Sequence, residues 1–188
     1  HCEPRWFAEN KRFTNPAELL VVPDHYLLRM LASQGVPLTD LGVLRADGGK
    51  TEEDPRAIWQ RFAAHYHLFR GTPSAIWLDH SFEHLFGIEE VLSTDTANAY
   101  YDHIDNCLGR DEFRPRALFE QFNVELLATT DAATDPLPWH QQLRDSGWNG
   151  RIVTTYRPDA TVDPEFPGFT KTVAELGEIT REDTSSWA

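Results

Sequence analysis

The sequence has 188 residues, 40% hydrophobic and 12% aromatic, which is enough for a domain with a real core. Its 17 basic and 30 acidic residues give a formal charge of -13, which argues against a phosphate-backbone partner and against an anionic membrane surface. There is no apolar run long enough to span a bilayer and no signal-peptide pattern. The two cysteines, Cys2 and Cys107, make neither a disulfide framework nor a metal knuckle, so a reducing cytoplasm is the natural setting.

In chain order, His1 to Phe13 reads as irregular and rich in charge and aromatics. Asn15-Pro16 opens a short helix through Leu20, and Pro23 stops it. Asp24 to Gln34 reads as a second helix with Tyr26, Leu27, Met30 and Leu31 on one apolar stripe and Gly35 as its end. His25 lies in its first turn, and Arg29 falls one turn later on the same side. Pro37 to Glu53 is a loop holding Asp47-Gly48-Gly49. Asp54-Pro55 then caps a helix that carries Ile58, Trp59, Phe62, Tyr66 and Phe69 inward. Gly71-Thr72-Pro73 repeats the device, with Ile76, Trp77, Phe82, Leu85 and Phe86 as the inward set until Gly87. Further helices cover Thr96 to Leu108, ended by Gly109, and Arg116 to Phe122. The first two-thirds is thus a helical layer packed through aromatics.

The last third changes character. Val124 to Thr129 reads as a strand ending on polar Thr129, Thr130 and Asp131. One helical segment follows, then a turn at Trp148-Asn149-Gly150, then a short buried strand from Arg151 to Tyr156. Pro158 cannot donate to a ladder, so that strand stops with Arg157 at its carboxyl end. The unit is β-α-β, with both polar tips on the rim where parallel α/β folds hold ligands. The chain divides at 1–122 and 123–188. Two parallel strands are too few for a covered sheet, and Thr180 with Asp183 resembles a capping box opening a new helix. A fragment of a longer protein, cut at both ends, is the simplest expectation.

Several side-chain groupings invite chemistry. His65 and His67 are two apart, which points them to different helix faces rather than to one metal. His80 and His84 have i, i+4 spacing, but the intervening residues are not those of a zinc-protease helix, and a solvated polar face accounts for them. Asp24-His25-Tyr26 places an imidazole and a phenol at a helix start, where both could donate to an anionic sugar acid; taken alone, Tyr26 reads as core and His25 as surface. For Arg157 two readings stay open. Its guanidinium can grip a carboxylate through two parallel hydrogen bonds, or it can form an internal salt bridge to Asp159 or Asp131.

These pieces in this order resemble the uronate isomerase (glucuronate isomerase) family, a divergent member of the amidohydrolase superfamily. The matching stretches are RFTNPAELL, PDHYLLRMLASQGV, the segment from Trp77 to Ile88 ending in FGI, VLSTDTANAYYDHIDNCL, FEQFNVELLATTDAATDPL, and RIVTTYRPDA through FTKTVAELGEI. The resemblance implies an α/β chain that is part of a (β/α)8 TIM barrel, with a large helical insertion after strand one. Val124 to Thr129 and Arg151 to Tyr156 would then be strands two and three. It also implies an intramolecular oxidoreductase that converts D-glucuronate to D-fructuronate and D-galacturonate to D-tagaturonate in bacterial sugar-acid catabolism.

Residue by residue, His1 falls on the second histidine of the family's metal-binding His-x-His pair, which implies a divalent metal, zinc first and manganese as the alternative. His25 and Tyr26 fall on a substrate-contacting pair, and Arg157 falls on the arginine of an Arg-Pro-Asp motif that anchors the substrate's carboxylate or hydroxyls. Arg29 matches a family arginine read as structural. The C2 base and the remaining metal ligands would lie outside the chain, so the fragment itself is expected to be inactive. One departure stands out: Leu78 to Phe82 reads LDHSF where many members read THLEL, so Asp79 and Ser81 replace a histidine and a glutamate. The implied partner is a small uronate, with no nucleic acid or membrane, and a homo-oligomer stays open. Two other classes also remain: a metal-dependent hydrolase of the same superfamily, and a non-catalytic helical interaction module built from the residues before Asn123.

Overall fold

The computed structural model of the chain describes residues 3–186. It is a mixed α/β structure of many helices and a two-stranded parallel sheet, and it divides into two compact units. One spans residues 12–117; the other combines residues 3–11 with 118–186. The first helix in the chain, α1 (Pro4–Glu9), belongs to the second unit.

In the first unit, short polar caps set the helix starts. Asn15 accepts a hydrogen bond from the Glu18 amide at 2.9 Å and opens α2 (Pro16–Leu20). Asp24 accepts from the amides of Tyr26 and Leu27, at 2.8 and 3.2 Å, and opens α3 (His25–Ser33). Leu27 and Leu31, one turn apart, are fully buried. Tyr26, expected on that stripe, is 59% exposed, because it sits about 100° around the helix from Leu27. The expected loop after Pro37 contains a 3-10 turn at Leu38–Leu41.

Asp54 and Pro55 start α4 (Pro55–Ala64), which buries Ile58, Trp59, Phe62 and Ala63. The helix does not run on to Phe69 as expected; it gives way to a 3-10 turn, Tyr66–Phe69, that still carries both aromatics inward. The Trp59 indole donates to the Ala97 carbonyl at 2.9 Å and meets Phe62, Phe82 and Tyr101 edge-on or nearly so. Thr72 caps α5 (Pro73–His80), which passes into a π-helical turn at Ser81–Leu85. Ala75, Leu78, Phe82 and Phe86 form the buried face. Their spacing of three, four and four is a helical stripe, so Ile76 and Trp77 point away, and Trp77 is 63% exposed. The sequence pattern places both inside, and the structure corrects this. α6 (Ala97–Leu108) packs Tyr100, Tyr101, Ile104 and Leu108 inward.

α7 (Pro115–Gln121) leads into the second unit, whose core gathers Phe7, Ala8, Phe119 and Leu143. The expected irregular start is in fact α1, held by Phe7 stacked on Trp148 and set edge-on to Phe119. β1 (Leu127–Ala132) begins three residues later than expected, at the first paired amide, Leu127 N–H to the Arg151 carbonyl at 3.0 Å. Thr130 and Asp131 therefore lie within the strand rather than past its expected end at Thr129. α8 (Pro138–Asp145) makes the crossover to β2 (Ile152–Arg157), which runs parallel to β1 from Leu127↔Ile152 to Ala132↔Arg157.

β2, expected to be buried, is largely exposed, since among the described residues the sheet has only this pair of strands to cover itself. α9 (Asp159–Val162) and α10 (Phe169–Thr180) follow. Thr180 does not open a helix: it ends α10, donating to the Leu176 carbonyl at 2.9 Å, and Arg181 after it is left-handed at φ 62°. No helix among the described residues is long and apolar enough to cross a membrane.

Candidate functional site

The carboxyl end of β2 presents Arg157. Pro158 removes the next ladder donor and turns the chain into α9, so the guanidinium projects at the sheet's rim, level with Ala132 of β1. Its Nε donates to Asp159 Oδ2 at 2.9 Å. That hydrogen bond holds the Asp159 carboxyl below the usual carboxylate range and raises the guanidinium further above its own. The internal ion pair thus forms with Asp159, and both side chains remain more than half exposed. Nη1 and Nη2 carry no hydrogen bond among the described residues, so the face of the fork that takes a carboxylate stays open.

On β1, one register position back from that rim, Asp131 lies opposite Tyr156. Its Oδ2 accepts from Thr129 Oγ1 at 2.7 Å, and the same hydroxyl is 2.9 Å from His140 Nε2 on α8. His140 was missed by sequence reasoning. It is 3% exposed and shares a face of α8 with buried Leu143, three residues on. That i, i+3 pairing was the available signal.

In the first unit, His25 and Tyr26 open α3 side by side, with ring centroids 4.1 Å apart and planes tilted by 34°. Both are exposed, as is Arg29 one turn on. The start of this helix is not an open anion site, because the Asp24 carboxylate already takes the Tyr26 and Leu27 amides. The variant segment after Trp77 has its own use: Asp79 accepts from the Tyr66 hydroxyl at 2.6 Å. Burial first, and then this bond to Asp79, push the Tyr66 phenol well above its usual range.

The metal expectation falls on His1, which lies outside the described residues. Among the described residues, no group of three or more His, Cys, Asp or Glu side chains is arranged to hold a metal ion. His65 instead has Nδ1 2.8 Å from the Arg61 carbonyl, and His80 and His84 are exposed with ring centroids 4.3 Å apart.

Comparison with known proteins matches residues 1–188 to the family model described as glucuronate isomerase. Among curated relatives, a uronate isomerase of Mesorhizobium japonicum is 60% identical over 188 residues, covering 100% of this chain and 40% of that protein. One from Rhizobium meliloti is 53% identical with the same coverage. Among solved structures, glucuronate isomerase from Caulobacter crescentus superposes with a TM-score of 0.90 at 46% identity, covering 100% of this chain and 39% of the other. Uronate isomerase from Thermotoga maritima gives 0.84 at 25% identity, covering 99% and 39%. The chain spans about two fifths of the length of the curated relatives it matches.

Proposed function

Because this chain belongs to the glucuronate isomerase family, we propose that it forms part of an enzyme that interconverts uronates with their keto isomers, D-glucuronate with D-fructuronate and D-galacturonate with D-tagaturonate. On this reading β1 and β2 are strands two and three of a (β/α)8 barrel of the amidohydrolase type. The helical unit before them is the insertion after strand one.

The observation that carries the reading is the open fork of Arg157 at the carboxyl end of β2, where a parallel α/β sheet offers its ligands. Aldose–ketose isomerisation moves a proton between C2 and C1 through a cis-enediol, and the acid group must be held so that those carbons keep one register. Arg157 supplies that grip through Nη1 and Nη2. Asp159 holds only Nε, so a substrate carboxylate can take the other edge without displacing it. His25 and Tyr26, both exposed, would donate to sugar oxygens and assist ring opening. A divalent metal, zinc or manganese, would bind at His1 together with ligands from outside the chain and would polarise substrate oxygens. The described residues form no such centre.

The test is incubation of the full-length enzyme carrying this chain with D-glucuronate. Formation of D-fructuronate supports the reading; turnover of amides or lactones alone refutes it. Arg157→Lys keeps the charge and loses the fork, so KM for uronates should rise by about tenfold or more while the folded state is unchanged. An unaltered KM would leave Arg157 with only its partner Asp159.

A further inference from the structure

The polar group on α8 that the proposed chemistry does not use is also the one whose hydrogen bonding is least complete. His140 is 3% exposed, and its Nδ1 is buried with no hydrogen-bond partner among the described residues. Placing a histidine at this position rather than a leucine therefore has a desolvation cost, and the return must come through the other ring nitrogen.

Nε2 meets Thr129 Oγ1 at 2.9 Å, and Thr129 is itself 2% exposed. That hydroxyl has three polar neighbours: His140 Nε2, Asp131 Oδ2 at 2.7 Å and the Val153 carbonyl of β2 at 3.3 Å. The last two only accept, and a hydroxyl has one proton to give. Its proton is directed at Asp131, the shorter contact, so its lone pair is left to accept from His140. This donor count assigns the proton to Nε2 and gives a one-way chain from His140 Nε2–H to the Thr129 hydroxyl to the Asp131 carboxylate. His140 Nε2 is also 3.8 Å from Asp131 Oδ2.

We propose that His140 is a positioning residue for the substrate anchor: acting through Thr129, it ties the carboxyl-terminal half of β1 to α8 and, through the β1–β2 ladder, sets where Arg157 stands. Thr129 and Asp131 both lie on β1, Asp131 pairs with Tyr156, and the next pair in register is Ala132 with Arg157. A lateral shift of β1 in this stretch is passed directly to the residue that grips the carboxylate. This rests on the proposed role of Arg157 as the carboxylate anchor.

The test compares three variants of the full-length enzyme. His140→Leu approximates the ring's bulk, removes the donor and also removes the unpartnered Nδ1, so the melting temperature should stay close to wild type. KM for glucuronate should rise about fivefold, with kcat changed less than about twofold. His140→Gln carries a donor near the position of Nε2 and should restore KM to within about twofold of wild type. Thr129→Val keeps the shape and breaks the chain, should raise KM like the leucine variant, and carries the test if His140→Leu is recovered unfolded. Unchanged KM in the leucine or valine variant, or a glutamine variant as impaired as leucine, overturns the proposal. Wild-type enzyme that leaves glucuronate untouched refutes instead the reading of the reaction.

Discussion

Trp59 and Trp77 allow one substitution to be made in two environments. Trp59→Phe removes an indole that is fully buried and whose Nε1 donates to the Ala97 carbonyl. Phenylalanine leaves a void of about 40 Å³, which at about 24 cal/mol per Å³ costs about 1 kcal/mol. The lost hydrogen bond adds about 1 kcal/mol, the low end of the usual range. The Ala97 carbonyl, as the first of α6, remains within reach of the amide four residues on, so it is not fully orphaned. The sum is about 2 kcal/mol, a fall of roughly 4–8 °C in Tm for a chain of this size. Trp77→Phe, at a side chain 63% exposed, should move stability by less than about 0.5 kcal/mol. Urea unfolding followed by far-ultraviolet circular dichroism reads both. Equal losses from the two variants would refute the assignment of Trp59 to the centre of the helical unit and of Trp77 to its surface.

Asp24→Ala strips two amides at the start of α3 of their acceptor and should lower stability by about 1 kcal/mol, with Asp24→Asn recovering most of the loss in the same urea assay. Burial, with Asp79 and Glu90 adding to it, pushes the Tyr100 phenol up to about 12 from its usual 10.0. The folded state thus holds that proton longer than the unfolded chain does. The associated stability is intact below pH 10.0 and is lost as pH rises through about 12, so Tyr100→Phe should flatten the alkaline fall in urea midpoint over that window. The Arg45 guanidinium, helped by the Gly49 amide, holds the Asp47 carboxyl at about 2 instead of 3.8. Its contribution is present above pH 3.8 and disappears as pH falls through about 2. Arg45→Ala should raise the midpoint of the Asp47 carboxyl resonance, followed by nuclear magnetic resonance, towards 3.8, with the Gly49 amide holding it short of that value.

Helix starts were legible wherever a side chain performs the capping. Asn15, Asp54 and Thr72, each followed by proline, accept amides as their positions imply. α1 has proline at its start but no side-chain cap, and it runs for only six residues. What holds it is Phe7 against Phe119 and Trp148, partners more than a hundred residues away that no local pattern reveals. Strand β1 was legible as a strand but not in extent: the apolar run begins at Val124, whereas pairing begins only where the partner's carbonyl is met at Leu127. The exposure of Trp77 is not legible because bulk does not decide burial; the smaller Ala75 and Leu78 complete the inward face. Arg157 was legible because Arg-Pro marks a strand end. His140 was legible only as far as its spacing from Leu143, which sets it on the inward face; nothing local reveals the buried Thr129 hydroxyl it meets.

On the proposed reading, the charge balance bears on how an acidic chain receives an acidic sugar. At physiological ionic strength fields between exposed charges fade over roughly 8 Å, so most of the formal charge of -13 is felt weakly at the rim of β2. What matters at contact range is Asp159, whose carboxylate sits 2.9 Å from Arg157 Nε. On the proposed reading it prepares the site, since engaging Nε limits the guanidinium's motion while leaving Nη1 and Nη2 outward for the substrate. Removing Asp159 would strengthen the local positive field but release the side chain. These opposing terms explain why an anchoring arginine for an anion can stand beside a carboxylate without being neutralised by it. The two use different edges of the same planar group.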